Sequence, residues 1–414
     1  MKLLPLERLG AREVMPGVVD FSIFLPWVPA AQGNRLWVKL IHERDQFKQE
    51  IPPMEFEMQH SVDPAYGDTW SVRVDIAHTP SPHEESAWGK DGSYVYRYYL
   101  YNPHVGFIDW IIDPFAREFG VGKLSAITLG YQPHAWSKRE AEWRTPYVKD
   151  LIVYELMLSE FGGSLKGAQE KLAYLADLGV NCLEVMPLSN VSSTVDWGFL
   201  PIGYFGVDER FGKRCDFQAF VDEAHRLGLA VIVDSVYGHT SPEFPYAVLY
   251  NKLNYHDNPF MGNFAENAFG ASTDFAQAFT RDFFFTVNHH WLDCYHVDGF
   301  RYDCVPNYWD GPVGQGYAQL VFQTHEHVTA ELAAGRWPRF RGEEGLRLIQ
   351  MAEQLKSPEE ALATTYSNLT WQNGTLGAAK DVASGAPGAL ERLGKCLGLM
   401  GFVEEVVHGD RLMS

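Results

Sequence analysis

The sequence predicts an α/β protein, a (β/α)8-type barrel incomplete at its C-terminus and preceded by an N-terminal β-sandwich domain. Three observations lead there. Short β-branched and aromatic runs fill the first part of the chain, apolar strands alternate with helical patterns after about residue 145, and polar residues sit at the ends of those later strands. An open doubly wound sheet is the alternative, weakened because no Gly-rich phosphate loop follows the first strand of the alternating part.

The early runs are RLWVKLI (35–41), WSVRVDIA (70–77) and YVYRYYLY (94–101), separated by Pro, Gly and Asp. They place a sandwich-like domain at 1–125 and a linker at 126–147, with the barrel at 148–414. In the barrel, DLIVYELML (150–158) is a strand and LKGAQEKLAYLADLG (165–179) an amphipathic helix closed by Gly179. NCLEVMPL (181–188) is a strand, CDFQAFVDEAHRLG (215–228) a helix and LAVIVDSVYGH (229–239) a strand. FAQAFTRDFFFTVNHHWLDCY (275–295) is a helix, followed by strands in HVDGFRYD (296–303), LRLIQMAE (346–353) and TTYSNLTW (364–371), then a helix in PGALERLGKCLGLM (387–400). Strands apolar on both faces belong to a parallel sheet covered on both sides. Six strands are readable where the barrel needs eight, so the expectation is that two strand units lie beyond residue 414.

Composition narrows the function. A net charge of −19 with no basic run disfavours nucleic acid and anionic membranes as partners and suits a neutral substrate. Aromatics are 14% of the chain, with 12 Trp and 20 Tyr, which suits sugar stacking as well as core packing. The five cysteines (182, 215, 294, 304, 396) include no CxxC spacing, so they read as buried free thiols rather than disulfides or zinc ligands. Charges at Glu7, Arg8, Arg12 and Glu13 interrupt the apolar core a signal peptide would need, and no stretch is long enough to span a membrane. A reducing cytoplasm is the expected location.

In a barrel, chemistry sits at the C-terminal ends of the strands. LAVIVD ends in Asp234, with His239 five residues on; VDGFRYD ends in Asp303, with Arg301 two before it; LIQMAE ends in Glu353. The loop after the second strand holds Asp196, Trp197, Gly198, Phe199 and Tyr204. A lone acid at a strand end is an ordinary loop cap, but three behind apolar strands are hard to explain that way. Paired carboxylates suggest glycosidic chemistry, one as nucleophile and one as proton donor. Arg301, on the same strand face as Asp303, would keep it ionised and below about 3.9. Glu353 follows Ile349 and Met351 on its own face, and apolar surroundings would raise it as a proton donor requires.

These residues resemble the α-amylase superfamily, glycoside hydrolase family thirteen. DSVYGH (234–239), GFRYD (299–303) and LIQMAE (348–353) are similar to its first three conserved regions, in order. WGFLPIGYFGVDERFG (197–212) resembles a loop of branching enzymes and malto-oligosyltrehalose trehalohydrolases, and YVYRYYLYNPHVGFIDWIIDPFA (94–116) resembles the end of their N-terminal domain. The resemblance covers about 90–355. It implies Asp303 as nucleophile, Glu353 as acid/base, Arg301 as the nucleophile's partner, and Asp234 and His239 around the reacting glucose, with Trp197, Phe199, Tyr204 and Asn307 further substrate contacts.

Four departures follow. Phe199 stands where the family usually has a stacking Tyr, so a ring remains without its hydroxyl. Asn307 stands where many amylases have His. Gly238 replaces an Asn whose side-chain oxygen binds structural calcium, and Asp257, Glu266 and Asp274 are scattered rather than clustered, so no metal and no cofactor is expected. The fourth region, a His-Asp pair, is not evident; His408 and Asp410 are not adjacent and follow no apolar strand. The leading expectation is a retaining α-glucan-active enzyme that cleaves α-1,4 bonds of starch, glycogen or malto-oligosaccharides. Alternatives are a glucan branching enzyme, a malto-oligosyltrehalose trehalohydrolase, or an inactive glucan-binding protein, the last disfavoured by intact Asp303 and Glu353.

Overall fold

The computed structural model describes residues 1–192, 197–266 and 269–396, and the backbone of 412–413. The N-terminal part forms two antiparallel sheets. The first pairs β1 (Gly10–Met15), β2 (Val18–Phe24), β6 (Gly67–Asp75) and β5 (Gln59–Asp63) in that order. The second runs β4 (Met54–Glu57), β3 (Arg35–His42), β7 (Gly92–Asn102), β10 (Leu124–Leu129), β9 (Glu118–Gly120), with β8 (Gly106–Ile111) also on β7. Period-two alternation drives this: Tyr94, Tyr96, Tyr98 and Leu100 of β7 are buried while Arg97, Tyr99 and Tyr101 between them are not. Phe21 of the first sheet meets Tyr96 of the second edge-on at 5.0 Å. Because β10 continues to Leu129, the first residues of the expected linker are strand instead.

The six expected barrel strands are parallel and in chain order, the last of them reduced to two residues: β11 (Val153–Leu156), β12 (Cys182–Val185), β13 (Ala230–Ser235), β16 (Gly299–Tyr302), β17 (Ile349–Ala352) and β18 (Leu369–Thr370). A two-residue strand, β19 (Leu412–Met413), pairs parallel with β18, in a tail where the sequence offered no apolar strand. Between β13 and β16 lies a small ribbon of β14 (His239–Thr240) and β15 (Ala271–Ser272). Among the described residues β11 pairs only with β12, so the sheet is curled rather than closed.

Helices cover the sheet. The helix expected over 165–179 is divided at Glu170 and Lys171 into α1 (Leu165–Gln169) and α2 (Leu172–Asp177). The predicted helices at 215–228 and 275–295 appear as α3 (Arg214–Arg226) and α5 (Ala278–Cys294), with α4 (Pro245–Lys252) between. The sequence reading leaves α6 (Tyr317–Ala333) unassigned, although its stripe of Tyr317, Leu320, Val321 and Val328 follows helical spacing. The run read as a strand from 364 is largely not one: α7 (Pro358–Thr364) starts with Pro358 at its first turn and Glu359 and Glu360 at its positive end. Then come α8 (Asn373–Ala383) and α9 (Ala389–Cys396); residues 397–400 of the predicted last helix lie outside the described residues. No described helix is long and apolar enough to cross a membrane. All five cysteines are free, but only Cys182 is buried.

The segment between the two parts is pinned under the barrel. Asp298, just before β16, accepts hydrogen bonds from His225 Nε2 (2.9 Å), the Trp143 indole (2.9 Å), the Val231 amide (2.8 Å) and the Thr145 hydroxyl. Glu140 meets His225 Nδ1 at 2.7 Å and His296 Nδ1 at 2.8 Å, and Trp143 stacks on His225 with centroids 4.5 Å apart. Burial alone would depress the His225 pKa, but Asp298 and Glu140 outweigh it and hold it at about 9. Since that is above the unfolded value of 6.5, the stabilisation is full below pH 6.5 and is lost as pH rises through about 9. The expected result is a wild-type melting temperature that falls across this window, by the equivalent of about 3 kcal/mol, and a His225→Gln variant with a lower and flatter profile. Parallel profiles for the two proteins would refute the clamp.

Candidate active site

Register sets the site. In the parallel ladder Asp234 of β13 lies opposite Arg301 of β16, and Arg301 opposite Met351 of β17. Residues alternate faces, so Ile232 and Asp234, Gly299 and Arg301, and Ile349 and Met351 form successive inward pairs. Gly299 is obligatory here: its φ is +157° and a Cβ would lie 1.9 Å from the Ile349 carbonyl oxygen. One residue past each strand come Asp303 and Glu353. Cys304, in the left-handed region at φ 41°, turns the chain so that its amide donates to Glu353 Oε2 at 2.8 Å.

Arg301 is the hub. Its Nη1 donates to Asp234 Oδ1 at 2.7 Å and Asp303 Oδ1 at 2.8 Å, Nη2 lies 3.1 Å from Glu353 Oε2, and Nε lies 3.6 Å from Glu184 Oε1. The ring of Trp371 covers the guanidinium at 4.5 Å and Phe199 lies at 5.9 Å. Side-chain exposure rises outward, from 0% at Asp234 and 4% at Glu184 to 9% at Asp303 and 19% at Glu353, so the last two reach the rim.

Charge follows burial. Burial tends to lower the Arg301 pKa, but the surrounding carboxylates win and raise it further. Burial pushes Asp303 above the ordinary aspartate value against the pull of Arg301. This corrects the expectation that Arg301 would hold Asp303 below its usual range: desolvation of an inward carboxylate outweighs one shared guanidinium. Glu353 is raised, as expected, by burial and by the Asp303 charge against Arg301.

His239 is buried, with Nε2 2.8 Å from the Phe199 carbonyl and Nδ1 3.3 Å from Asn307 Nδ2. Asn307 sits in a short 3-10 turn (Val305–Tyr308) after β16. Gly238 has a steric reason as well as a chemical one: a Cβ there would lie 2.6 Å from Asn307 Cβ and 2.8 Å from Tyr308 Cδ1, so Asn could not be accommodated without movement. Trp197 is 64% exposed and borders an open cleft of about 430 Å³ with Tyr154, Glu155 and Phe161. Tyr204 is not at the cleft. It is buried among Tyr237, Phe244, Phe283 and Phe284, and its hydroxyl donates to the His239 carbonyl at 3.4 Å, which makes it a support beneath His239. Asp196, His408 and Asp410 lie outside the described residues.

Two contributors escaped sequence reading. Glu184 stands inside NCLEVMPL, a charge within an apolar strand and therefore a readable signal. Trp371 ends TTYSNLTW, and nothing local marks it as the cover of Arg301. Oxygens of Glu155, Glu184 and Asp234 lie within 4.8 Å of one another, a set that could hold a cation; Arg301 already supplies one there. The scattered acids have their own partners: Glu266 with Lys356 at 2.6 Å, Asp257 with His256 at 2.8 Å, and Asp274 with the Ala276 amide at 2.9 Å.

Residues 116–268 match the family described as alpha amylase, catalytic domain, a stretch that ends before Asp303 and Glu353. A malto-oligosyltrehalose trehalohydrolase of Saccharolobus solfataricus is 36% identical over 162 residues, covering 38% of this chain and 28% of that protein. A 1,4-alpha-glucan branching enzyme GlgB of Bacillus cytotoxicus is 30% identical over 221 residues, covering 48% of this chain and 33% of that protein. The crystal structure of apo pullulanase from Paenibacillus barengoltzii superimposes with a TM-score of 0.62 at 17% identity, covering 89% of this chain and 57% of that one, a likeness of fold. The chain spans about a third of the length of the curated relatives it matches.

Proposed function

We propose that the chain is a member of the α-amylase superfamily, to which its matches point, and a retaining α-glucan-active enzyme cleaving α-1,4-glucosidic bonds of starch, glycogen or malto-oligosaccharides. The observation that carries the reading is one guanidinium held between Asp303 and Glu353 at the ends of neighbouring strands, with Glu353 the more exposed of the two and raised by burial and by the Asp303 charge. Glu353 protonates the glycosidic oxygen while Asp303 attacks the anomeric carbon; the bond to the leaving sugar breaks and a glycosyl ester forms. Glu353, now ionised, takes a proton from the incoming hydroxyl, which displaces Asp303. Asp234 and His239 would hold the reacting glucose, with Phe199, Trp197 and Asn307 beside it and Tyr204 behind His239. We read residues 1–129 as a β-sandwich accessory domain, 130–147 as the linker, and the rest as the barrel.

Transfer is the second reading, favoured by the tight packing at Gly238 and by relatives named as branching enzymes; trehalohydrolase action is a hydrolytic variant of the first. Amylose incubation with parallel assays of reducing ends and iodine colour separates the two. Falling colour with new reducing ends supports hydrolysis, and falling colour without them supports transfer.

The rate should depend on pH as a bell. Its acid limb should lie above the ordinary aspartate value of 3.8, because Asp303 is raised, and its alkaline limb above 4.5, because Glu353 is raised. Glu353→Gln should lose about 10²–10⁴-fold in rate together with the alkaline limb. A variant that keeps the wild-type limb excludes Glu353 as the acid.

A further inference from the structure

Glu184 and Glu155 are register partners on β12 and β11, one inward level below Asp234 and Arg301. Glu184 is 3% exposed. Its Oε1 and the Arg301 Nε face each other at 3.6 Å, and neither atom has a hydrogen-bond partner. Every other carboxylate around Arg301 is closer, and each has a better donor.

Among the described residues four carboxylates thus face one buried guanidinium. Such a set cannot be fully ionised, because the uncompensated charges would lie in a low-dielectric interior. Glu353 carries one proton for catalysis. Asp234 also has an unpartnered oxygen, Oδ2, but its Oδ1 accepts from Arg301 at 2.7 Å, so the next proton belongs where ionisation is rewarded least, at Glu184 with the longest ion pair.

We infer that Glu184 is a positioning residue, neutral on the acid side of the activity range, where it seats the Nε edge of Arg301 without drawing its charge away from Asp303 and Asp234, and ionised on the alkaline side. This rests on the reading in which Asp303 and Glu353 do the chemistry. Glu184 touches no reacting atom and acts through Arg301. The groups facing it are Arg301 from β16, Glu155 from β11, Asp234 from β13, Glu353 after β17 and Cys182 on its own strand. Burial pushes Glu184 up to about 7, Arg301 opposes this, and Glu155 and Glu353 add to it. A proton leaving Glu184 near neutrality therefore places a negative charge within reach of Glu353, and by reciprocity makes Glu353 hold its own proton to higher pH. Glu184 would then widen the alkaline side of the activity range.

The direct test needs no turnover. Infrared difference spectra of the full chain, titrated from acid to alkaline pH, should show a buried protonated carboxyl lost with a midpoint at about 7. That signal should be missing in Glu184→Gln and displaced in Glu184→Asp, the second variant serving if the first does not fold. Where the chain turns over glucan, Glu184→Gln should match wild type on the acid limb, where Glu184 is protonated anyway. It should be about tenfold slower on the alkaline limb, as expected for loss of one charge interaction at short range. No carboxyl signal attributable to Glu184 below neutral pH overturns the inference, as does an unchanged alkaline limb in Glu184→Gln. Failure of the glycosidase reading would appear instead as activity surviving in Asp303→Asn, with the infrared result unaffected.

Discussion

Asp303→Asn should leave the protein folded and reduce turnover by at least about 10⁴-fold. The amide keeps the size and can still accept the Arg301 Nη1 hydrogen bond seen at 2.8 Å. It cannot form the glycosyl ester that the proposed reaction passes through. Stability should hold or rise, because the change removes one negative charge from a buried group that has more carboxylates than cations. Turnover on maltoheptaose and a thermal melt check the two halves together. A folded variant keeping more than about a hundredth of the wild-type rate would remove Asp303 from the role.

Arg301→Leu should damage the fold as well as the chemistry. Among the described residues it strips the only ion-pair partner from Asp234, Asp303, Glu353 and Glu184 at once. Removing one partner of a buried ion pair costs about 3–5 kcal/mol. The loss should depend on pH with a defined sign. All four carboxyls already bind protons more tightly in the folded protein than in the unfolded chain, through burial, and without Arg301 they would do so further. A group whose folded pKa is raised stabilises at low pH and loses that contribution as pH climbs through its folded value. The deficit relative to wild type should therefore be smaller at mildly acid pH than above neutrality. Arg301→Lys should fall between, keeping the charge but losing the planar fork that reaches several oxygens. Denaturant melts at two pH values measure this; an equal deficit at both would mean that Arg301 is not the counterion of the group.

Much of this centre is legible in the sequence because it lies in regular strands. Alternation alone puts Arg301 and Asp303 on one face, and apolar neighbours mark β13, β16 and β17 as buried, so their terminal acids must converge. Distances between strands are not legible. Glu184 becomes part of the centre only through the parallel register that sets it one level under Asp234, and Trp371 only through the curl that brings β18 beside β17. Tyr204 was misread for the complementary reason: a polar ring in a loop after a strand suggests a cleft, while packing against α5 buries it. The sign at Asp303 depended on the balance between desolvation and a guanidinium shared among several acids, and a sequence does not count how many acids share it. The clamp of Glu140, His225 and Asp298 joins residues up to 158 positions apart along the chain and is marked by no local pattern.

The claim that matters most is that Asp303 forms a covalent bond to the sugar. Glu353→Gln, incubated with α-glucosyl fluoride, isolates that step, since fluoride leaves without an acid while the hydrolysis of the ester lacks its base. Peptide mass mapping should then find one glucosyl unit on the peptide that carries Asp303, and none when Asp303→Asn is added. An adduct on another residue, or fluoride release with no adduct in a variant slowed at the second step, would contradict it.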